Sequence, residues 1–157
     1  MPPSAAEPPS LIVRAGLRVA GRADLVAFAS TLQRRLTGGR PFNCLLTGDA
    51  ELQKLNRQFR NKNRTTDVLS FPSKNSQTPI DAGGSAGDLA ISLDRARAQA
   101  KEYGHRIGDE IRILMLHGVL HLTGLDHETD SGEMARLELA WRKKLGLPAG
   151  VIERVTA

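Results

Sequence analysis

The sequence predicts a single α+β domain in which a small sheet packs against helices, and three observations carry that prediction. Short apolar runs of strand length interleave with longer segments whose apolar residues recur at helical spacing, in the order β-α-β-α-β-β-α-α-α. One of those segments, residues 108–122, is apolar on nearly every face and so reads as a central buried helix. The chain has 157 residues, 40% of them hydrophobic and 25% charged, which is ordinary globular composition and excludes a mostly disordered chain. That length makes about one domain and can bury a core without disulfide staples. The expected boundaries are a disordered Pro-, Ser- and Ala-rich tail over residues 1–10, the domain over 11–150 and a C-terminal tail over 151–157.

Leu11-Ile-Val13 is the first strand. Leu25, Phe28, Ala29, Leu32 and Leu36 then form one helical stripe, closed by Gly38-Gly39. Phe42-Asn-Cys-Leu-Leu46 reads as a buried strand, and Asp49 is a good N-cap for a helix whose stripe is Leu52, Leu55 and Phe59. Val68-Leu-Ser-Phe71 is a strand closed by Pro72. Residues 73–87, rich in Ser, Gly, Pro, Asn and Gln, read as a long mobile loop. Asp88-Leu-Ala-Ile91 is the last strand, followed by a helix capped by Ser92 or Asp94 that ends near Gly104. After the central helix, Asp130-Ser-Gly-Glu133 resembles a capping box. It opens a final helix with Met134, Leu137, Trp141 and Leu145 as its inner stripe, ended by Gly146 and Pro148.

One cysteine allows no intramolecular disulfide, which fits a reducing compartment. No apolar run approaches the roughly 20 residues of a membrane span. The first ten residues lack the charged and apolar regions of a secretory signal, so the expected location is the cytoplasm. The net charge of +5 is unevenly spread. Residues 11–72 hold eleven Lys/Arg against four acids, a net +7, whereas residues 73–157 are close to neutral. A basic surface attracts polyanions, of which nucleic acid is the usual one.

Three of the four histidines fall within eleven residues, as His117-Gly-Val-Leu-His121-Leu-Thr-Gly124-Leu-Asp-His127. On a helix, residues four apart share a face, so His117 and His121 can hold one metal ion. Gly124 is placed to end the helix in a left-handed turn, and the reversal would return His127 as a third ligand. Three protein ligands leave a fourth position for water or substrate, the arrangement of a catalytic zinc, and zinc lowers the pKa of its water toward roughly 7. A histidine pair at this spacing can arise by chance; three with a glycine at the turn rarely do. Three imidazoles suit one Zn2+ per chain first, with nickel, copper or cobalt as alternatives. Cys44 sits in an apolar run and reads as plain core. His105, beside Gly104, reads as a surface or capping residue.

The spacing H-x-x-x-H-x-x-G-x-x-H is also that of the metzincin proteases, which place a general-base Glu directly after the first His. Here that position is Gly118, so the protease chemistry lacks its base. A second constellation, Lys54, Arg57, Arg60, Lys62 and Arg64, puts five cations in eleven residues without an acid. Alone it reads as a solvated helix end and loop. Beside a metal site it reads equally as a phosphate grip.

Three blocks carry a resemblance to a known family: Leu55-Asn-Arg-Gln-Phe-Arg60-Asn-Lys62-Asn-Arg-Thr-Thr-Asp67-Val-Leu-Ser-Phe-Pro72, Gly87-Asp88-Leu-Ala-Ile-Ser92, and His117-Gly-Val-Leu-His121-Leu-Thr-Gly-Leu-Asp126-His127-Glu128. Over residues 45–145 or so the chain resembles the YbeY family of bacterial endoribonucleases, also called rRNA maturation factors. The resemblance implies a mixed four-stranded sheet with helices and one zinc on His117, His121 and His127. It also implies metal-dependent cleavage of single-stranded RNA, in small-subunit rRNA 3′-end maturation and in ribosome quality control. Arg60 matches the family's functional arginine, Lys62 follows it in the basic loop, and Asp88 matches the acid of the Gly-Asp block. The sequence departs from the family at Ile113, where many members have another His, and at Leu125, where a Tyr is frequent.

The site expected is therefore His117, His121 and His127 on the metal and Arg60 as the catalytic cation. Arg57, Lys62 and Arg64 would lie along the RNA, with Asp126 and Asp88 as carboxylates orienting ligands. Either zinc hydroxide or a ribose 2′-OH can serve as nucleophile. The expected partners are single-stranded or ribosomal RNA and the small ribosomal subunit or its assembly factors. Two rival classes stand beside the metalloribonuclease: a ribosome-associated binding factor whose zinc is structural, and a zinc hydrolase of another substrate, against which Gly118 argues.

Overall fold

The apolar run at residues 42–47 forms the strand around which the sheet is built. In the computed structural model, which describes residues 7–60, 66–73, 84–124 and 132–148, four strands order as β1-β2-β4-β3. They are β1 (Ser10–Val13), β2 (Phe42–Thr47), β3 (Val68–Pro72) and β4 (Gly87–Ser92). β1 and β4 flank β2 in parallel, while β3 pairs antiparallel with β4, so the sheet is mixed. Five helices complete the expected order: α1 (Arg22–Leu36), α2 (Asp49–Arg60), α3 (Leu93–Tyr103), α4 (Ile107–Leu122) and α5 (Glu133–Lys144).

Strand alternation sorts the helices onto two faces. Cys44, Leu46, Leu89 and Ile91 point into the main core beneath α1 and α4, whereas Leu69 and Ala90 point the other way and meet Leu52 of α2. The central helix is as the sequence predicts: Ile111, Ile113, Leu114, Met115, Leu116, Val119, Leu120 and Leu122 are all buried. Gly118 lets α4 press onto the sheet, since a Cβ there would stand 2.7 Å from Leu89 Cδ2.

The inner end of the expected tail is engaged. β1 begins at Ser10, Pro9 is buried, and the Glu7 carbonyl accepts a hydrogen bond from Gln33 Nε2 at 2.7 Å. Residues 1–6, residues 74–83 of the expected loop and residues 149–157 lie outside the described residues. Of the two candidate caps for α3, Ser92 does the work: its Oγ accepts from the Arg95 amide. Asp94 caps its neighbour instead, accepting from the Asp49 amide at the start of α2 at 2.8 Å. At α5 the N-cap is Gly132, with no side-chain cap bond, and Asp130 lies outside the described residues.

Three expectations of the fold are corrected, the first being Phe59 of the α2 stripe, which is 62% exposed. Leu137 is 39% exposed rather than part of the inner stripe of α5; Glu138 and Arg142 turn inward in its place, in line with Met134. An i, i+4 row of Met, Glu and Arg can be buried because α4 supplies a partner for the carboxylate. His105 is not a surface residue: its side chain is 8% exposed and Nε2 sits 2.7 Å from the fully buried Glu110. Its backbone N–H does cap α3, donating to Ala100 across the left-handed Gly104.

Cys44 is core as expected, and burial pushes its thiol up to about 12. Almost no thiolate exists at neutral pH, and the sulfur is enclosed. An alkylating reagent at pH 8 will therefore leave the native protein unmodified for hours and label one thiol at once in denaturant. Stoichiometric native labelling would contradict the packing of β2.

Candidate metal centre and nucleic-acid surface

His117 and His121 stand one turn apart on α4, and their Nε2 atoms lie 3.2 Å from each other. Their rings are 4.8 Å apart and 70° inclined, so they converge instead of stacking. Two nitrogens bound tetrahedrally at 2.0–2.1 Å to one zinc would be about 3.3 Å apart. The observed spacing is that of one edge of such a tetrahedron.

The other nitrogen of His117 is held. Nδ1 lies 2.5 Å from Glu138 Oε1 on α5, and the second Glu138 oxygen accepts from Arg142 Nη2 at 2.7 Å. Burial works to raise the Glu138 carboxyl, but hydrogen bonding and charge from His117 and Arg142 outweigh it and hold the group below its ordinary value. An ionised carboxylate only accepts, so when the His117 ring is neutral this hydrogen bond favours the form with the proton on Nδ1 and the lone pair on Nε2. That is the form a metal ligand needs. The donor set thus fits a zinc ion.

Gly124 takes the left-handed conformation expected of it, φ +99°, and its N–H closes the helix end onto His121 O at 3.0 Å. His127, Asp126 and Leu125, which follow, lie outside the described residues. Among the described residues no three His, Cys, Asp or Glu side chains form a metal-sized group.

Asp67, at the entrance to β3, is a further acid of this region. Burial pushes its carboxyl up, against the opposing charge of His117 and backbone N–H groups, and Gln99 Nε2 donates to Oδ2 at 3.1 Å. Sequence reasoning gave neither Glu138 nor Asp67 a role. Asp67 stands inside the first family block, which was a usable signal; Glu138 had only its i, i+4 partner Arg142.

Helix α2, which carries the first part of the basic block, lies on the sheet's other side. Lys54 and Arg57 are exposed on α2, and Arg60 is its last residue. The Arg60 side chain, Lys62 and Arg64 lie outside the described residues. The chain passes from α2 on one face to β3, whose Ser70 Oγ donates to Gly118 O of α4 on the other.

Asp88 does not stand behind the histidines. It is exposed, accepts from Asn43 Nδ2 at 2.8 Å, and lines an open groove on the α2 face with Leu55, Phe59 and Phe71. Its neighbour Leu89 takes the α4 side, and strand alternation then fixes Asp88 on the opposite face. As a carboxylate orienting a metal ligand, Asp88 is thus misplaced.

Residues 23–146 match the family model described as Endoribonuclease YbeY. The chain belongs to the endoribonuclease YbeY family. A relative named Endoribonuclease YbeY from Solibacter usitatus is 60% identical over 134 residues, covering 85% of this chain and 86% of that protein. The YbeY relative of Koribacter versatilis is 54% identical over 112 residues, covering 71% and 69% respectively. The solution structure of the Thermotoga maritima protein TM1509 has the same fold, with a TM-score of 0.56 at 23% identity, covering 95% of this chain and 99% of that one. The mixed four-stranded sheet expected of a YbeY protein is the one observed. Among the described residues no helix is long and apolar enough to cross a membrane.

Proposed function

We propose that this chain is a zinc-dependent endoribonuclease that cuts single-stranded RNA, acting in the cytoplasm on the 3′ end of small-subunit rRNA and in ribosome quality control. The observation that carries the reading is the convergence of the two imidazole nitrogens, 3.2 Å apart, in a chain of the YbeY family. His117, His121 and His127 would hold one zinc. Bound there, it would supply a water of lowered pKa and a positive charge for a phosphoryl oxygen.

The chain's own residues do the rest. Glu138 keeps the His117 lone pair on Nε2. Arg60 grips the phosphate beside the scissile bond and offsets the charge that develops on it. Arg57, Lys62 and Arg64 attract and align the RNA backbone, so binding weakens steeply with salt. The small ribosomal subunit or its assembly factors present the substrate. Gly118, packed against Leu89, is no proton carrier, so nothing at that position supports peptide hydrolysis.

The test is Arg60→Ala against wild type on a ribosomal RNA fragment with single-stranded ends. Losing one donor to a developing oxyanion lowers turnover by about 10²–10³-fold. The thermal midpoint should stay within about 2 °C, because an arginine at a helix end contributes little to stability. Unchanged cleavage would remove Arg60 from the mechanism. Cleavage absent even from the wild type, together with a fold that fails when zinc is removed, would make the zinc structural and the protein a binding factor.

A further inference from the structure

We infer that Arg142 and Glu138 of α5 form a positioning relay that sets the His117 tautomer and thereby the metal affinity of a helix neither residue belongs to. This rests on the reading of His117 as a metal ligand. The geometry is a continuous chain: Arg142 Nη2 to Glu138 Oε2 at 2.7 Å, then Glu138 Oε1 to His117 Nδ1 at 2.5 Å. All three side chains are largely enclosed, at 5%, 14% and 13% exposure. A buried guanidinium with its Nε unpartnered and a carboxylate turned into the protein are both costly. Replacing a buried ion pair by apolar residues of similar volume is often neutral or stabilising, so stability alone does not account for the pair.

What the pair supplies is direction. An ionised Glu138 can only accept, so it selects the ring form with the proton on Nδ1 and aims Nε2 at His121 Nε2. Arg142 occupies the other oxygen and keeps the carboxylate charged and turned toward His117. The wrong tautomer would put a proton on the nitrogen that must bind metal. Glu138 and Arg142 touch neither substrate nor metal in this scheme; they act through His117. They also couple the α4–α5 packing to the site, so that whatever shifts α5 shifts metal affinity.

The experiment uses the full chain in metal-free and zinc-loaded forms, as wild type, Glu138→Gln and Arg142→Lys. The first readout is nitrogen-15 NMR of the histidine rings in the metal-free protein. The relay requires the neutral His117 ring to carry its proton on Nδ1 in the wild type, and that preference to be lost in Glu138→Gln. The second is zinc affinity by competition with a chelator, which should weaken about 10–100-fold in Glu138→Gln and by less in Arg142→Lys. A wild-type ring protonated on Nε2, or variants that fold and bind zinc as tightly as wild type, would overturn the relay. If Glu138→Gln does not fold, Arg142→Lys decides in the same way, since Lys keeps the charge but not the guanidinium Nη2 that donates to Oε2. A wild-type ring with the expected tautomer in a protein that binds no zinc would instead overturn the metal reading and leave the tautomer control intact.

Discussion

His117→Ala should remove zinc binding and RNA cleavage together and leave a folded protein. The substitution deletes one of two converging nitrogens and the ring that Glu138 orients. Losing a metal's stabilisation of transition-state charge removes several kcal/mol, and each 1.36 kcal/mol is tenfold in rate, so cleavage should fall by at least about 10³. The fold should lose only about 1–2 kcal/mol. Glu138 forfeits one donor but keeps Arg142, so its charge remains paired. For a domain of this size that is roughly 3–8 °C in the midpoint of the metal-free protein. Zinc content, cleavage rate and thermal melts measured on one preparation check all three. Retained cleavage would mean another site or a contaminating nuclease; collapse of the fold with the activity would mean a structural metal.

Gly87→Ala should be among the most damaging single changes away from the site. Gly87 opens β4 with φ +137°, a conformation L side chains rarely adopt. An added Cβ would lie 2.4 Å from the Phe71 carbonyl oxygen, 3.0 Å from Pro72 Cα and 2.9 Å from Leu122 Cδ2. Two of those are backbone of the paired strand, which cannot yield as a side-chain tip does. Backbone strain and overpacking together make about 3 kcal/mol, on the order of 10 °C in the midpoint. Because Leu122 ends the histidine helix, zinc binding should weaken as well. A denaturant melt that leaves the transition midpoint where it is in wild type would show that β3 and β4 separate more readily than their pairing implies.

The parts of the molecule written as periodicity were legible in the sequence. The apolar stripe of α1 and the all-round apolar surface of α4 each follow from local spacing, and spacing fixes which residues are inside. His117 and His121 were legible for the same reason, since four residues apart is one helical face. What periodicity does not encode is which helix lies against which. Its apolar side chain points Leu137 inward by pattern, yet it is Glu138 that faces α4, where His117 receives it. Nothing in the local pattern of His105 signals that Glu110, five residues on, turns back to meet it. Its place in a family block suggests that Asp88 orients a ligand histidine, whereas strand alternation puts it on the far side of the sheet from His117. In sequence Gly118 shows only the absence of a base; its role as the contact point between α4 and β4 is a property of the packed structure.

The most direct test of the central claim is the rate of RNA cleavage against zinc added back to the metal-free protein. Metal-quantified wild type would be stripped with a chelator, exchanged into metal-free buffer and titrated with zinc, using one ribosomal RNA fragment throughout. The account predicts no cleavage from the stripped protein and a rate that rises and saturates at one zinc per chain, with His117→Ala flat across the titration. Full cleavage by the stripped protein, with the His117→Ala variant equally active, would contradict it.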